Sequence, residues 1–215
     1  MTPDDFTALE SDLRASANDA PQATIELSPT PPLDLPDRAA AAGLLDVAYA
    51  TYDSPAGRLL LAATPRGLVR LAYVDAAGEE DAVLEQLAAR VSPRVLASPR
   101  SLDEPRRELD QYFSGARRDF ELALDWQLTR GFGRRVLEAT ARIPFGSVST
   151  YKTVAAQAGS PRGSRAAGNA LGANPIPIIV PCHRVLHTTG GLGGYTGGLH
   201  RKRLLLGLER GQLAM

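Results

Sequence analysis

The sequence predicts an α+β protein in which a small antiparallel-sheet domain is followed by a mainly helical domain of helix-turn-helix (winged-helix-like) type. Short apolar stretches with period-two alternation between residues 45 and 74 predict the sheet. Two short helices around a tight turn predict the second domain. Crowded prolines and sparse apolar residues mark 1–45 as an irregular extension. The charge changes sign near residue 125, so we divide the rest into an α+β domain at 46–125 and a helical domain at 126–215.

Composition limits the class of protein. The chain has 215 residues, of which 44% are hydrophobic and 22% charged, so we expect a soluble protein with a sizeable core. No apolar run approaches the roughly 18 residues of a membrane helix, and the acidic N-terminus has no apolar segment typical of a secretory signal. The single cysteine, Cys182, excludes an internal disulfide and a cysteine-rich zinc module. We expect a cytoplasmic monomer that needs no metal or cofactor and contacts no membrane.

The formal net charge of zero conceals a division of charge along the chain. Residues 126–215 carry 12 basic and 2 acidic side chains, a net charge of +10, whereas residues 1–125 carry 12 basic and 22 acidic side chains, a net charge of −10. A segment with so few carboxylates suits a polyanion such as nucleic acid, and its binding would depend on salt. Attraction between an acidic and a basic half is the alternative, so charge alone leaves both interpretations open.

Local patterns predict the elements of the first two segments. The spacing of Phe6, Leu9 and Leu13 predicts a short helix in the extension. Three strands joined by tight turns are predicted at 47–51, 59–63 and 68–74, and a helix at 83–91. Ser101 and Glu104 form a capping-box pattern that predicts the start of a second helix. Alternation at 120–124 predicts a final strand.

The helical domain contains a short helix of unusual composition. A first helix is predicted at 132–143, and two more, at 151–158 and 162–172, form the helix-turn-helix. In the last of these, glycine and alanine surround a single large cation, Arg165. Small residues let a helix pack tightly on a neighbour, or let its backbone approach a nucleic-acid groove while Arg165 projects into it. The charge of this domain favours the second interpretation.

The single cysteine lies in the segment NPIPIIVPCHRV at 174–185. Its four apolar residues and three prolines predict a buried, rigid, extended segment that holds Cys182 in a fixed place. A lone cysteine is most often an inert core residue. Here we expect His183 and Arg184, as electropositive neighbours, to lower the thiol pKa from about 8.5. A thiol beside a histidine is also a recurring nucleophile arrangement.

A glycine-rich segment follows, with six glycines in the nine residues 190–198. It matches neither the dinucleotide-binding fingerprint nor a P-loop. It is either a flexible linker or a loop whose backbone closely approaches a bound group.

These residues resemble one known family. The run PCHRV at 181–185, preceded by Asn174-Pro and followed by GYTGGL at 194–199, resembles the O6-alkylguanine-DNA alkyltransferases, also called methylated-DNA–protein-cysteine methyltransferases. The match extends from GSVSTY at 146–151 through SRAAG at 164–168 to LLLGLE at 204–209, in register. It implies a ribonuclease-H-like N-terminal domain and a DNA-binding alkyltransferase domain. The zinc ligands of animal members and of adaptive-response relatives have no equivalent here.

The resemblance implies a role for each matching residue. Cys182 would be the nucleophile that accepts the alkyl group, His183 its general base acting through a water, and Glu209 the carboxylate that orients the histidine. Asn174 would brace the active-site turn. Tyr151 would crowd the DNA phosphate so that the nucleotide rotates, and would then donate a hydrogen bond to the departing guanine.

Other matching residues would bind the guanine or the DNA. Arg165 would enter the base stack from the minor groove and fill the vacated space. The carbonyl of Val185 would read the guanine amino group, and the backbone N–H of Thr196, where the family often has serine, would donate to guanine O6. Tyr195 belongs to the same substrate-binding group. Phosphate contacts are expected from Lys152, Ser160 and Thr188.

The implied function is DNA repair by direct, irreversible transfer of the O6-alkyl group of guanine to Cys182 after base flipping, on double-stranded DNA, with O4-alkylthymine an open second substrate. The chemistry agrees with it. A base must leave the stack to react, and a thioether offers no good leaving group, so we expect one transfer per molecule.

Two alternatives remain: a non-catalytic helix-turn-helix DNA binder with a structural cysteine, and a cysteine hydrolase using Cys182 and His183. The hydrolase leaves the +10 segment unexplained, and adjacent cysteine and histidine seldom act as a direct nucleophile–base pair.

Overall fold

The computed structural model describes residues 38, 39 and 42–211, and the helix expected near Phe6 lies outside them. The described chain is α+β, as predicted, with a small sheet first and a mainly helical part after it. Within this part of the chain, every helix is too short or too polar to traverse a bilayer.

The predicted meander is confirmed. Strands β1 (Val47–Ser54), β2 (Gly57–Thr64) and β3 (Gly67–Tyr73) pair antiparallel in sequence order. Both connecting turns end on a glycine with positive φ, which residues with a Cβ rarely adopt. A fourth strand, β4 (Val95–Ala97), pairs parallel to β1 and gives the order β3-β2-β1-β4. Its three residues are too few for a sequence pattern to reveal.

The two helices of the sheet domain are confirmed, but the predicted cap of the second helix is wrong. Helix α1 spans Glu79–Arg90, and helix α2 spans Asp103–Phe113. Ser101 does not cap α2, because it lies inside a 3₁₀ turn, Pro99–Leu102, and its hydroxyl pairs with that of Ser98 at 2.8 Å.

The strand predicted at 120–124 is also wrong. This stretch makes a single parallel bridge, between Leu68 and Leu124. Its backbone meets β3 only where Leu68 donates to Ala123 and accepts from Asp125. The apolar residues alternate because their side chains pack on the core, although the backbone does not form the repeated hydrogen bonds of a β-strand.

The helical part contains the predicted helix-turn-helix. Helix α3 spans Gly131–Ala141, α4 spans Tyr151–Gln157 and α5 spans Ser164–Gly172. The hydroxyl of Thr150 accepts from the backbone N–H of Thr153 at 3.1 Å and so caps α4. Two short parallel strands, β5 (Ser149–Thr150) and β6 (Val185–Leu186), join the start of α4 to the segment after Cys182.

The segment before Cys182 is buried, as expected, but it is not extended. Residues 175–180 form bends and turns, and Ile178 adopts φ 73°. A β-branched residue with positive φ is strained and persists only where its surroundings hold it. The last helix, α6 (Leu199–Glu209), then returns across the domain.

One core joins the sheet to the helical part. Leu59 and Leu61 of β2 belong to a buried cluster that includes Leu109 of α2, Ile176 and Leu205 of α6. The intervening Leu60 faces a second cluster beneath α1. Because both faces of β2 are buried at residues 59–62, the strand is continuously apolar there.

Candidate active site

Cys182 borders a cavity of about 620 Å³. The cysteine is 5% exposed and begins a short 3₁₀ turn, Cys182–Arg184. The cavity is lined by parts of α4, α5 and the glycine-rich loop, and includes Tyr151, Lys152, Arg165, Thr188, Tyr195 and Thr196. A thiol that is nearly buried, yet open to a cavity of this size, can react only with a group that enters the cavity.

Asn174 holds the turn that presents the thiol. Its side-chain nitrogen donates to the carbonyl of Val180 at 2.8 Å and to Sγ of Cys182 at 3.2 Å. Its side-chain oxygen accepts from the backbone N–H of Ile176 at 3.0 Å. One buried amide therefore closes the strained turn around Ile178 and contacts the sulfur directly.

The expectation of a lowered pKa for the Cys182 thiol was wrong. Burial raises the pKa of Cys182 to about 11, and this outweighs the opposing effects of the Asn174 hydrogen bond and the charge of Lys202. Arg184 is engaged with Glu209, and burial lowers the pKa of His183, which favours its neutral form. The resting thiol is therefore protonated at neutral pH and needs a base.

His183 is fully buried and held by a carboxylate. Its Nε2 lies 2.8 Å from Oε1 of Glu209. Burial by itself would raise the pKa of Glu209, but hydrogen bonds from His183 and Arg184 and the charge of Arg184 hold it at about 2. Beside an ionised carboxylate, Nε2 carries the proton, which leaves Nδ1 as the acceptor. Nδ1 is buried, and no described residue pairs with it.

Glu209 gathers donors from distant parts of the chain. Arg184 donates to both of its oxygens, at 2.8–3.1 Å, and also to the carbonyl of Ile143. The hydroxyl of Tyr112, on α2 of the sheet domain, donates to Oε1 at 2.8 Å, and the backbone N–H of Gly146 donates to Oε2 at 3.2 Å. The carboxylate thus both orients His183 and joins the two domains.

Lys202 is a second buried cation near the thiol. It is 0% exposed, and its Nζ donates to the carbonyls of Val185 at 2.7 Å, Gly194 at 3.3 Å and Leu192. Burial lowers the pKa of Lys202 to about 8, although the Cys182 thiolate would raise it. Lys202 therefore fastens the glycine-rich loop and supplies positive charge to the thiol.

Tyr151, the first residue of α4, lies between α5 and the glycine-rich loop. A Cβ on Gly193 would lie 2.5 Å from the Tyr151 oxygen, and one on Gly168 would lie 3.8 Å from its ring. Burial raises the pKa of Tyr151, and the Cys182 thiolate adds to this effect. Close approach to Tyr151 therefore requires glycine at position 193, whereas a Cβ on Gly168 would make only an ordinary contact.

The remaining sequence-predicted residues divide by location. Arg165, Lys152 and Thr188 line the cavity at its exposed side, as does Thr196, whose hydroxyl donates to the carbonyl of Gly172 at 2.9 Å. Ser160 lies outside the cavity lining, in the turn between α4 and α5. Val185 is fully buried and does not line the cavity.

Three contributors to the site were missed by sequence reasoning, namely Arg184 as the partner of Glu209, Lys202 and Tyr112. A signal existed for Lys202, which precedes the buried Leu205 and Leu206 at helical spacing and so falls on the inner face of α6. No local pattern could have revealed Tyr112, because it lies 97 residues from Glu209.

Comparison with known proteins identifies the family. Residues 131–211 match the family described as 6-O-methylguanine DNA methyltransferase, DNA binding domain, and residues 47–126 match its ribonuclease-like domain. The methylated-DNA–protein-cysteine methyltransferase of Mycolicibacterium paratuberculosis is 40% identical over 76% of this chain and 93% of its own. Its counterpart in Methanosarcina barkeri is 36% identical over 77% of this chain and 98% of its own.

A solved structure gives the same result. The crystal structure of Mycobacterium tuberculosis OGT in complex with DNA superposes with a TM-score of 0.65 at 38% identity, covering 77% of this chain and 94% of that one. The chain therefore belongs to the 6-O-methylguanine DNA methyltransferase family.

Proposed function

We propose that this protein repairs alkylated double-stranded DNA by transferring the O6-alkyl group of guanine to Sγ of Cys182, once per molecule. The observation that carries the proposal is the arrangement of Asn174, Cys182, His183 and Glu209 at the edge of a cavity in the basic domain. The names of the relatives and the DNA complex of a structural neighbour support it.

The reaction begins with loss of the thiol proton. Because the pKa of Cys182 is raised to about 11, a base must accept this proton when the substrate is in place. The neutral His183 serves as that base through its free Nδ1, with one water carrying the proton from Sγ. Glu209 stabilises the imidazolium that results. Lys202 and the Asn174 amide stabilise the thiolate.

The transfer step forms one bond and breaks another. The thiolate attacks the alkyl carbon, the S–C bond forms, and the C–O6 bond breaks with its electron pair going to guanine. The guanine takes up a proton as it leaves, with the Tyr151 hydroxyl as donor; the raised pKa of Tyr151 keeps that hydroxyl protonated at neutral pH. The thioether that forms has no leaving group, which makes the reaction irreversible.

Entry of the base requires extrusion from the duplex, at a cost of a few kcal/mol. The net charge of +10 on residues 126–215 attracts the phosphate backbone, and Arg165 on α5 fills the space in the stack. Lys152 and Thr188, beside the same cavity, and Ser160 in the helix-turn-helix bend contact phosphates. The guanine is read by the backbone of Thr196 and by Tyr195; Val185 lies outside the cavity lining, and its carbonyl accepts from Lys202 at 2.7 Å.

The test uses duplex DNA with one O6-methylguanine labelled in its methyl group. We expect label on the wild-type protein at up to one equivalent and none on Cys182→Ser. Sequence-selective DNA binding without any label would instead support the non-catalytic DNA binder. Repeated turnover of an ester or amide, abolished in Cys182→Ser, would support the hydrolase.

A further inference from the structure

A tyrosine of the sheet domain reaches the glycine-rich loop beside the cavity. Tyr73 is the last residue of β3, and its hydroxyl lies 3.0 Å from the hydroxyl of Tyr195. The two rings meet edge to face, with centroids 6.3 Å apart and an interplanar angle of 69°. Burial raises the pKa of Tyr73 to about 12 and that of Tyr195 well above its usual value, so both hydroxyls are neutral at physiological pH. Each is available to donate to the other.

The Tyr73 ring also lies against the backbone of the loop. A Cβ on Gly197 would fall 2.8 Å from Cδ2 of Tyr73, and closer still to Cε2. Real Cβ atoms do not approach ring carbons this closely, so only glycine permits the contact. Tyr73 therefore holds the loop at two points, through the ring at Gly197 and through the hydroxyl at Tyr195.

Arg201 covers the other side of this contact. Its guanidinium carbon lies 4.2 Å from the centroid of the Tyr73 ring, a close cation–π arrangement. The same group donates to the carbonyls of Gly197 at 2.9 Å and Ala56 at 2.6 Å, and pairs with Asp75. Arg201 thus binds the loop on one side and the β1–β2 turn on the other, with the Tyr73 ring beneath it.

Tyr195, which Tyr73 holds, is part of the cavity wall. It lines the cavity together with Cys182, and its ring meets that of His183 edge to face, with centroids 6.4 Å apart and an interplanar angle of 88°. Tyr73 itself is not among the residues that line the cavity. Any effect of Tyr73 on the reaction must therefore pass through Tyr195 and the loop.

We infer that Tyr73 is a positioning residue of the guanine-binding cavity, through which the sheet domain fixes Tyr195 beside the nucleophile. The inference rests on the proposed alkyl transfer and extends it to the sheet domain. Loss of the Tyr73 hydroxyl leaves the partly buried Tyr195 hydroxyl without its partner, and the cavity wall then samples orientations that do not fit guanine.

The test is a comparison of Tyr73→Phe with a matched control. Tyr52 lies on β1 of the same sheet, and its hydroxyl donates to Asp110 at 2.6 Å, away from the cavity. Tyr52→Phe therefore removes a tyrosine hydroxyl and its hydrogen bond from the same sheet without touching Tyr195. Transfer rates are measured with labelled O6-methylguanine as the free base and in duplex DNA, and affinity is measured with unmodified duplex.

We expect Tyr73→Phe to slow transfer from both substrates by the same factor, on the order of fivefold, which is the rate equivalent of one net hydrogen bond. Affinity for unmodified duplex should not change, and Tyr52→Phe should react at the wild-type rate. Tyr73→Leu, which also removes the ring beneath Arg201, should be slower than Tyr73→Phe.

A double-mutant cycle separates positioning from a general loss of stability. If the two hydroxyls act as a pair, Tyr73→Phe combined with Tyr195→Phe should be no slower than Tyr195→Phe alone. Rates for Tyr73→Phe within twofold of wild type, or a double variant slower by the product of the single effects, would overturn the inference. If the wild-type protein itself acquires no label, the proposed function fails first.

Discussion

Oε1 of Glu209 lies 2.8 Å from Nε2 of His183 and 2.8 Å from the hydroxyl of Tyr112, so a single carboxylate oxygen contacts both the histidine beside Cys182 and the sheet domain. The guanidinium of Arg184 neutralises the same carboxylate. The orientation of His183 and the attachment of the two domains therefore depend on one buried negative charge.

Glu209→Gln should lose both properties. The change removes the charge that stabilises a protonated His183 and leaves the buried Arg184 without a counter-ion, so we expect a loss of about 3–5 kcal/mol of unfolding free energy. Alkyl transfer should fall even in samples that remain folded by circular dichroism. Tyr112→Phe keeps the charge and removes one donor, so it should cost less stability and retain most of the transfer rate. Equal losses in the two variants would contradict the role of the charge.

Acid should destabilise the wild-type protein through the same carboxylate. The pKa of Glu209 is about 2 in the folded chain, below its ordinary 4.5, so its contribution is fully present above about pH 4.5 and is lost as the pH falls towards 2. Urea unfolding measured from pH 6 to pH 2.5 should show a free energy that declines over this window. Glu209→Gln should show a smaller decline, and an identical pH dependence in both proteins would refute the assignment.

Lys202→Met should slow transfer from a free alkylguanine base at pH 7, because the charge of Lys202 lowers the pKa of Cys182. The pKa of Lys202 is about 8, so this charge is present below pH 8 and is lost above it. The ratio of the wild-type rate to the variant rate should therefore be largest below pH 8 and should decrease above it. A ratio that stays constant from pH 6.5 to 9.5 would show that Lys202 acts only through the loop.

Lys152→Met provides the control, since Lys152 is the other of the chain's two lysines and is exposed at the cavity edge. It should weaken binding to duplex DNA and leave the rate with the free base unchanged. This comparison separates a buried charge beside the thiol from a charge that meets phosphate.

The outcomes for particular residues show where sequence reasoning succeeds. The strands β1 to β3 and the helices α1 to α5 were predictable because their periodicity is local, whereas α6 was not predicted. The turn at Ile178 was mistaken for an extended segment because its conformation depends on Asn174, whose hydrogen bonds exist only in the folded chain. The pKa of the thiol was misjudged because the charges of residues adjacent in sequence were assumed to act on the sulfur. In the folded chain burial has the largest effect on this pKa, and the nearby cation is Lys202. Tyr73 and Tyr112 reach the site only through the packing of two domains.

Arg165→Ala should impair repair in duplex DNA more than reaction with a free base. Arg165 is exposed at the edge of the cavity on a helix of small residues, so its loss removes a group that offsets the cost of extrusion and leaves the thiol site intact. We expect about a tenfold slower transfer from duplex, which corresponds to ~1.4 kcal/mol, and a rate within twofold of wild type with the free base. Arg203→Ala removes one exposed charge outside the cavity lining and should affect both substrates little. Equal losses of Arg165→Ala with both substrates would count against extrusion.

Alkylation of Cys182 should destabilise the folded protein. Sγ is nearly buried and receives the Asn174 amide at 3.2 Å, so an added methyl group must displace the side chain that closes the strained turn. Overpacking of this kind costs about 1–3 kcal/mol, which lowers the melting temperature by roughly 2–10 °C. Differential scanning calorimetry before and after stoichiometric reaction with methylated duplex measures the shift, and Cys182→Ser treated with the same DNA controls for bound product. An unchanged melting temperature at full alkylation would mean that the Asn174 turn accommodates the methyl group without strain.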